Sequence, residues 1–130
     1  MKLSTDLPPN WKKLIAAFPA ARELKPFVTY GDTIYCPSKI SPELYDHECL
    51  HGEQQETMGV EKWWKQYFED KEFRYSQELP AYKIQIKRYN KDHKDKNVQA
   101  QYMMGVVRIL SGAEYGNCAD YHRVFKDIRS

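Results

Sequence analysis

The chain of 130 residues has few cysteines, no long apolar run and almost no net charge, and each shortage excludes a class of protein. Its three cysteines, Cys36, Cys49 and Cys118, are odd in number and far apart, which argues for reduced thiols rather than a disulfide framework. No stretch approaches eighteen apolar residues, so the sequence predicts no membrane span and no membrane partner. The net charge of +2 is too small to indicate a nucleic-acid partner.

The length of the chain fits one domain, residues 1–130, built around one core. The first residues lack the apolar segment of a signal peptide, and we therefore expect a cytoplasmic protein. Residues 1–9, which end in Pro8-Pro9, are predicted to be a flexible tail. Oligomeric state is not indicated by any pattern in the sequence.

Helix and strand signals together predict an α+β fold that is mostly helical, with a short β-sheet or hairpin and about five helices. Two short strands, residues 26–30 and 33–36, flank Gly31-Asp32. A helix then begins after Ser41, with proline at its first position, and runs to about Thr57 before Gly59. Later helices are predicted over residues 61–68, over residues 77–89 with Ser76 as N-cap, over residues 98–110, and from the cap Asn117 onward.

The segment His47-Glu48-Cys49-Leu50-His51 is the strongest functional signal in the chain. Residues four apart lie on one face of a helix, so the imidazoles of His47 and His51 can bind one Zn²⁺ ion. Glu48 lies next to His47 on the helix and points to the edge of the same metal site, where it can act as a general base without being a ligand. Cys49 points away from both histidines and is expected to pack rather than to bind the metal. A catalytic zinc site then requires one further protein ligand.

Glu78 is the best candidate for the third ligand. We expect it in the first turn of the helix that Ser76 caps, where the helix dipole favours an ionised carboxylate. The small Ala81 would let this helix pack closely against the helix of the two histidines. The competing side chains are Glu61, Glu69, Glu72 and Glu114, together with His93 and His122, which are expected at the surface.

The stretch from Lys83 to Lys96 is basic and contains aromatic residues, so it could be interpreted as a nucleic-acid-binding patch. Acidic residues intersperse its lysines, and the net charge of the whole chain is small. We therefore interpret this stretch as the solvated face of a helix and expect no nucleic-acid partner.

The order of motifs resembles that of small phage- and bacterium-encoded zinc metallopeptidases, which look like minimal members of the gluzincin clan. The residues that carry the resemblance are His47-Glu48-x-x-His51, Gln54-Gln55, Trp63-Trp64 and Phe73-Arg74-x-x-Gln77-Glu78-x-x-Ala81-Tyr82. It extends to the strand at Gly31–Tyr35 and to the loop at Leu110–Asn117, and so covers most of the chain from about Trp11.

The resemblance implies a minimal zincin-like domain and a phage protein that acts in a bacterial host. It implies one Zn²⁺ ion held by His47, His51 and Glu78, Glu48 as general base, and a peptide or protein as substrate. Larger gluzincins often carry an acidic residue four positions after the third ligand, where it orients a ligand histidine. Here Tyr82 takes that position, so the contacts around the ligands must be built differently.

Three further side chains or segments have two interpretations each. Tyr115 could donate a hydrogen bond to the oxyanion of a reacting amide, with Gly112 and Gly116 letting it move, or could be a packed structural tyrosine. Gln54 could bond near the site or face solvent. The strand over residues 33–36 could offer its edge to an extended peptide or be an ordinary sheet edge.

Two functions therefore fit the sequence. One is a zinc-dependent peptidase or amidase with Glu48 as general base. The alternative is a catalytically inactive zinc-binding protein that uses the same scaffold to bind a protein partner. Glu48 favours the peptidase, because a structural zinc site normally has four protein ligands and does not need an additional carboxylate.

Overall fold

The computed structural model describes every residue from Met1 to Ser130, of which 67% are helical. It confirms the predicted mostly helical α+β class, with seven helices rather than about five and one small mixed sheet of three strands. The strands are β1 (Lys2–Ser4), β2 (Val28–Tyr30) and β3 (Thr33–Tyr35). The helices are α1 (Trp11–Ala17), α2 (Ala21–Leu24), α3 (Pro42–Met58), α4 (Val60–Glu69), α5 (Lys71–Asp92), α6 (Lys96–Leu110) and α7 (Tyr121–Arg129).

The sheet has the order β1-β3-β2, with β1 parallel and β2 antiparallel to β3. Gly31 has a φ of 65° and forms the tight turn between β2 and β3, as predicted. The prediction of a flexible tail over residues 1–9 is wrong for Lys2–Ser4, because these residues pair with Thr33–Tyr35. The suggestion that β3 offers a free edge to a peptide is also wrong, since β3 is the central strand.

Helix α3 has the ends that the sequence predicts. The Ser41 hydroxyl accepts a hydrogen bond from the Leu44 amide at 3.4 Å, and Pro42 occupies the first turn, where no backbone N–H is needed. Gly59, with a φ of 100°, ends the helix in a conformation that other residues rarely adopt. The turn at Gly59 leads directly into α4.

Helix α5 begins six residues earlier than expected and changes the setting of Glu78. Asp70 is the N-cap, and its carboxylate accepts a hydrogen bond from the Phe73 amide at 3.1 Å. Ser76 lies inside the helix and donates to the Phe73 carbonyl, so its prediction as a cap is wrong. Glu78 therefore lies two turns into α5, beyond the first turn in which the dipole acts most strongly. Its predicted position at a helix N-terminus is wrong.

The last helix also has a different cap from the predicted one. The Asp120 carboxylate accepts a hydrogen bond from the Arg123 amide at 2.9 Å and starts α7. Asn117 has a φ of 55° and belongs to the turn after the short 3-10 helix Ala113–Tyr115.

None of the helices combines the length and the hydrophobicity that a membrane-spanning segment requires.

The buried apolar residues form two clusters. One joins α5, α6 and α7 and contains Tyr75, Tyr82, Val106, Val107, Leu110, Cys118, Ala119, Val124 and Ile128. The other joins α1, α2, β2 and α4 and contains Leu14, Phe18, Ala21, Val28, Trp63, Trp64 and Tyr67. Ala81 is fully buried, as expected for a residue that allows close helix packing. Helix α3 packs against α5 and carries buried polar side chains, including His47, Glu48, His51 and Gln55.

Candidate metal centre

The structure brings the side chains of His47, His51 and Glu78 together in the interior. The Nε2 atoms of the two histidines lie 3.1 Å apart, one turn from each other on α3. Glu78 reaches across from α5, and its Oε1 atom lies 3.2 Å from His47 Nε2 and 3.1 Å from His51 Nε2. All three residues are buried, and together they form a group that could hold a metal ion.

The spacing of these three atoms fits a tetrahedral metal site. Zinc binds nitrogen and carboxylate oxygen at about 2.0 to 2.1 Å, so two ligand atoms of a tetrahedral site are about 3.3 Å apart. The three observed separations of 3.1 to 3.2 Å are within a few tenths of an ångström of that value. The residues present therefore fit a metal ion, which His47, His51 and Glu78 would hold.

Gln54 orients the ring of His51. Its side-chain oxygen lies 2.8 Å from His51 Nδ1, and its side-chain amide donates to the Gln77 carbonyl on α5 at 3.1 Å. Because the amide nitrogen is engaged with Gln77, the oxygen faces His51 and accepts the Nδ1 proton. The lone pair of Nε2 is then available to a metal ion. Gln54 thus takes the first of its two proposed roles, a contact near the site, and links α3 to α5.

The Nδ1 side of the His47 ring is held by packing and not by a hydrogen bond. Its Nδ1 atom is buried and has no hydrogen-bond partner. The ring meets the ring of Tyr82 edge to face, with centroids 4.5 Å apart. Tyr82, four positions after Glu78, thus contacts His47 through its ring. The two histidines therefore differ at Nδ1, where a polar side chain contacts His51 but not His47.

Tyr67 binds the second oxygen of Glu78, a contact that the sequence did not reveal. Its hydroxyl donates to Glu78 Oε2 at 2.5 Å, which leaves Oε1 directed at the two histidines. The Tyr67 ring stacks on Trp63, with centroids 4.9 Å apart, and this packing fixes its position. A neutral tyrosine and not a helix dipole thus orients the carboxylate. The only sequence signal was the helical spacing of Trp63 and Tyr67 on α4, which indicates packing alone.

The electrostatic setting of the cluster favours a positive charge. Burial raises the pKa of Glu78, but the His51 charge and hydrogen bonds from both histidines outweigh burial and hold it well below its ordinary value. Burial lowers the pKa of His51, while the charge and hydrogen bond of Glu78 raise it, to about 9 overall. Both shifts mean that the ionised carboxylate attracts a cation to this position, whether that cation is a proton or a metal ion.

Glu48 lies beside the cluster without belonging to it. Its Oε1 atom accepts a hydrogen bond from the Thr29 hydroxyl at 2.9 Å, and its Oε2 atom lies 3.6 Å from His47 Nε2. Burial raises the pKa of Glu48 and the charges of His47 and His51 lower it, with a net increase. Thr29, on β2, is a positioning residue that sequence reasoning missed, because nineteen positions separate it from Glu48.

Tyr115 is held at both ends near the cluster. Its hydroxyl lies 2.6 Å from that of Tyr82, and its carbonyl accepts a hydrogen bond from the buried Arg74 at 3.0 Å. Burial and the charge of Glu78 raise the pKa of Tyr115 well above its ordinary value, so the hydroxyl stays protonated. The ring lines the cleft beside Glu78 in a fixed position, so the flexible glycines invoked for its movement are not needed.

The other candidate ligands lie elsewhere. Glu72 pairs with Arg123 at 2.6 Å, and the exposed His93 stacks on Tyr89. Cys49 is only half-buried and is not part of the cluster, whereas Cys36 and Cys118 are buried. The remaining competitors, Glu61, Glu69, Glu114 and His122, are exposed and lie outside the cluster.

The contact between Tyr67 and Glu78 yields a testable prediction. Tyr67→Phe keeps the ring and its stacking on Trp63 but removes the only hydrogen bond to Glu78 Oε2. Loss of such a supporting contact typically weakens metal binding about 10- to 100-fold, and we expect that effect in a competition titration with a chelator. Tyr75→Phe is the matched control, because Tyr75 is also buried but bonds Asp127 away from the cluster. Equal weakening in both variants would contradict the role of Tyr67.

Comparison of the chain with models of protein families, with curated proteins and with solved structures found no match. The assignment of a buried metal-binding group therefore rests on the convergence of His47, His51 and Glu78 in this structure.

Proposed function

We propose that the protein is a zinc-dependent peptidase. One observation carries this proposal: the carboxylate of Glu48 lies beside the group of three candidate ligands and pairs with no lysine or arginine. His47, His51 and Glu78 supply three donor atoms, whereas a structural zinc site normally uses four. Glu48 faces the same cleft, within 3.6 Å of a ligand nitrogen, which suits a general base.

Two imidazole nitrogens and one carboxylate oxygen are a donor set typical of hydrolytic zinc sites. Calcium and magnesium prefer sites made of oxygen alone, so this donor set argues against them. When bound, zinc would supply a Lewis acid for the substrate carbonyl and a water of lowered pKa.

Glu48 would accept a proton from the attacking water and transfer it to the leaving amine. The Thr29 hydroxyl holds one carboxylate oxygen, so the other remains directed toward the cluster. Burial raises the pKa of Glu48, which brings its basicity closer to the value that suits proton transfer near neutral pH. Thr29 is in this scheme a positioning residue that acts through Glu48.

Tyr115 would stabilise the oxyanion that forms on the substrate carbonyl. If Tyr82 donates its hydroxyl proton to the Tyr115 oxygen, the Tyr115 proton is free to be donated into the cleft. The raised pKa of Tyr115 keeps that proton in place. An oxyanion donor of this kind contributes about 10²- to 10³-fold to turnover in other hydrolases.

The test is removal and restoration of the metal. Protein treated with a chelator and then dialysed should lose cleavage of a mixed peptide library, and one equivalent of Zn²⁺ per chain should restore it. Because the metal binds only the folded chain, its removal should also lower the melting temperature, and the effect should depend on zinc concentration. Stoichiometric zinc binding without cleavage of any peptide would support the alternative, an inactive zinc-binding protein that binds a partner.

A further inference from the structure

A cavity of about 300 Å³ adjoins the candidate metal-binding group, and only part of its lining carries the chemistry described so far. His47, His51 and Glu78 form that part, together with Glu48. The rest of the lining is largely apolar, and four of its residues come from α1, α2 and the turn between them, to which the sequence assigns no function. We call these four residues, Leu14, Phe18, Ala21 and Leu24, the α1–α2 wall.

The mouth of the cavity exposes apolar side chains. Leu24 is 56% exposed and Ile109 is 44% exposed, and both line the cavity. Deeper in the wall, Leu14, Phe18 and Ala21 are buried and are anchored in the cluster that contains Trp63 and Trp64. An apolar surface that runs from an exposed rim into a buried wall is typical of a binding site for an apolar group.

The charges around the cavity disfavour acidic ligands. Three carboxylates line it, those of Glu48, Glu78 and Glu114, and no lysine or arginine does. An acidic side chain would meet like charges and would lose its hydration without a compensating cation. The cavity therefore discriminates against acidic residues.

The volume of the cavity limits the size of the side chain that it can bind. An apolar protein cavity of about 150 Å³ is large enough to bind benzene. The volume of about 300 Å³ measured here thus has room for a phenyl or leucine-sized side chain with part of the backbone that carries it. An alanine side chain would leave most of the apolar wall without contact.

We propose that the α1–α2 wall binds one large apolar side chain, aromatic or leucine-sized, of the residue next to the bond that is cleaved. This inference rests on the proposed peptidase function, because the cavity gains a role in substrate choice only if a peptide binds at the cluster. Ile109 and Leu24, the exposed end of the wall, form the entrance, and the side chain contacts the buried wall residues Leu14, Phe18 and Ala21. The wall supplies substrate selection in a chain of only 130 residues.

Cleavage of matched peptides tests the proposal. A set of peptides that differ at one position, with Phe, Leu, Ala, Lys or Glu there, should be cleaved with kcat/KM at least about tenfold higher for Phe and Leu than for Ala. The Glu peptide should be the poorest substrate. Leu24→Asp should reduce the advantage of Phe over Ala several-fold, and Leu7→Asp should not, because Leu7 is similarly exposed at 65% but does not line the cavity.

A binding measurement separates this proposal from the proposed function. The zinc-loaded Glu48→Gln variant can be titrated with N-acetyl-phenylalanine amide and N-acetyl-alanine amide, with the fluorescence of Trp63 and Trp64 at the cavity as readout. Tighter binding of the phenylalanine probe, weakened by Leu24→Asp, supports the apolar site even if no peptide is cleaved. Cleavage without any preference among the five peptides, a preference for Lys or Glu, or equal binding of both probes overturns it.

Discussion

Replacing Glu78 with alanine is expected to reduce zinc affinity about 100- to 1,000-fold. Structural zinc sites with four ligands bind with about 10 to 16 kcal/mol, which corresponds to about 2.5 to 4 kcal/mol for each ligand. Each 1.4 kcal/mol is a factor of ten in affinity. Glu78 supplies the only oxygen atom and the only negative charge among the three candidate ligands, so the alanine variant keeps only the two imidazole nitrogens of that group. Metal content after gel filtration and a chelator competition titration measure the loss.

Folding has to be separated from ligation in this experiment, because alanine also leaves the Tyr67 hydroxyl without its acceptor. An unsatisfied buried hydroxyl costs about 1 to 3 kcal/mol of stability. Glu78→Gln resolves the two effects, since its amide oxygen can still accept from Tyr67 while the charge is lost. Glu72→Ala is the matched control, because it removes an exposed carboxylate from the same helix. Full zinc content in a folded Glu78→Ala protein would refute the ligand assignment.

Local sequence patterns predict one part of the candidate metal-binding group, the two histidines. The two histidines share one helix with strong end signals, Ser41-Pro42 and Gly59, so their common face followed from helical spacing. Glu78 was placed correctly beside them, although for a partly wrong reason. The sequence offers Ser76 as a cap, whereas Asp70 starts the helix and Pro80 lies inside it. Several residues near the start of a helix can serve as its N-cap, and the packing of the folded chain determines which of them does.

Local sequence patterns do not predict the contacts that orient the candidate ligands. Tyr67 meets Glu78 across eleven positions and Thr29 meets Glu48 across nineteen, and no periodicity connects such residues. The N-terminal strand was missed for a related reason, since Lys2–Ser4 are stabilised by pairing with a distant strand and not by their own composition. The apolar wall of the cavity likewise requires α1 and α2 to fold back toward α3.

The cluster also shows how so short a chain can hold three ligands rigidly. Gln54 spans from His51 to the backbone of α5, and Tyr67 spans from α4 to Glu78. A third bridge, between the Trp63 indole and the Gln77 side chain at 2.8 Å, joins α4 to α5 beside the cluster. Because each bridge connects two helices, a movement of one ligand would disturb packing elsewhere, which favours a preformed site.

The largest expected effect on turnover belongs to Glu48→Gln. Glutamine has nearly the same shape, and its amide oxygen can still accept from the Thr29 hydroxyl, so the fold and the cluster should be undisturbed. The amide cannot accept a proton, and loss of a general base typically lowers kcat about 10²- to 10⁴-fold. We expect that loss in cleavage of a phenylalanine-containing peptide, with zinc content unchanged.

Two comparisons give this result its meaning. Glu53→Gln, an exposed substitution on the same helix, should cleave as the wild type does, which controls for the loss of one acidic charge from α3. Equal cleavage by wild type and Glu48→Gln would refute the role of Glu48 as general base. Loss of zinc from Glu48→Gln would instead make Glu48 a fourth ligand, and a cluster with four protein ligands would be the closed site of a zinc-binding protein without catalysis. Because Thr29 bonds one oxygen of this carboxylate while the other lies 3.6 Å from His47 Nε2, the metal content and the cleavage rate of this single variant together distinguish the peptidase from its alternative.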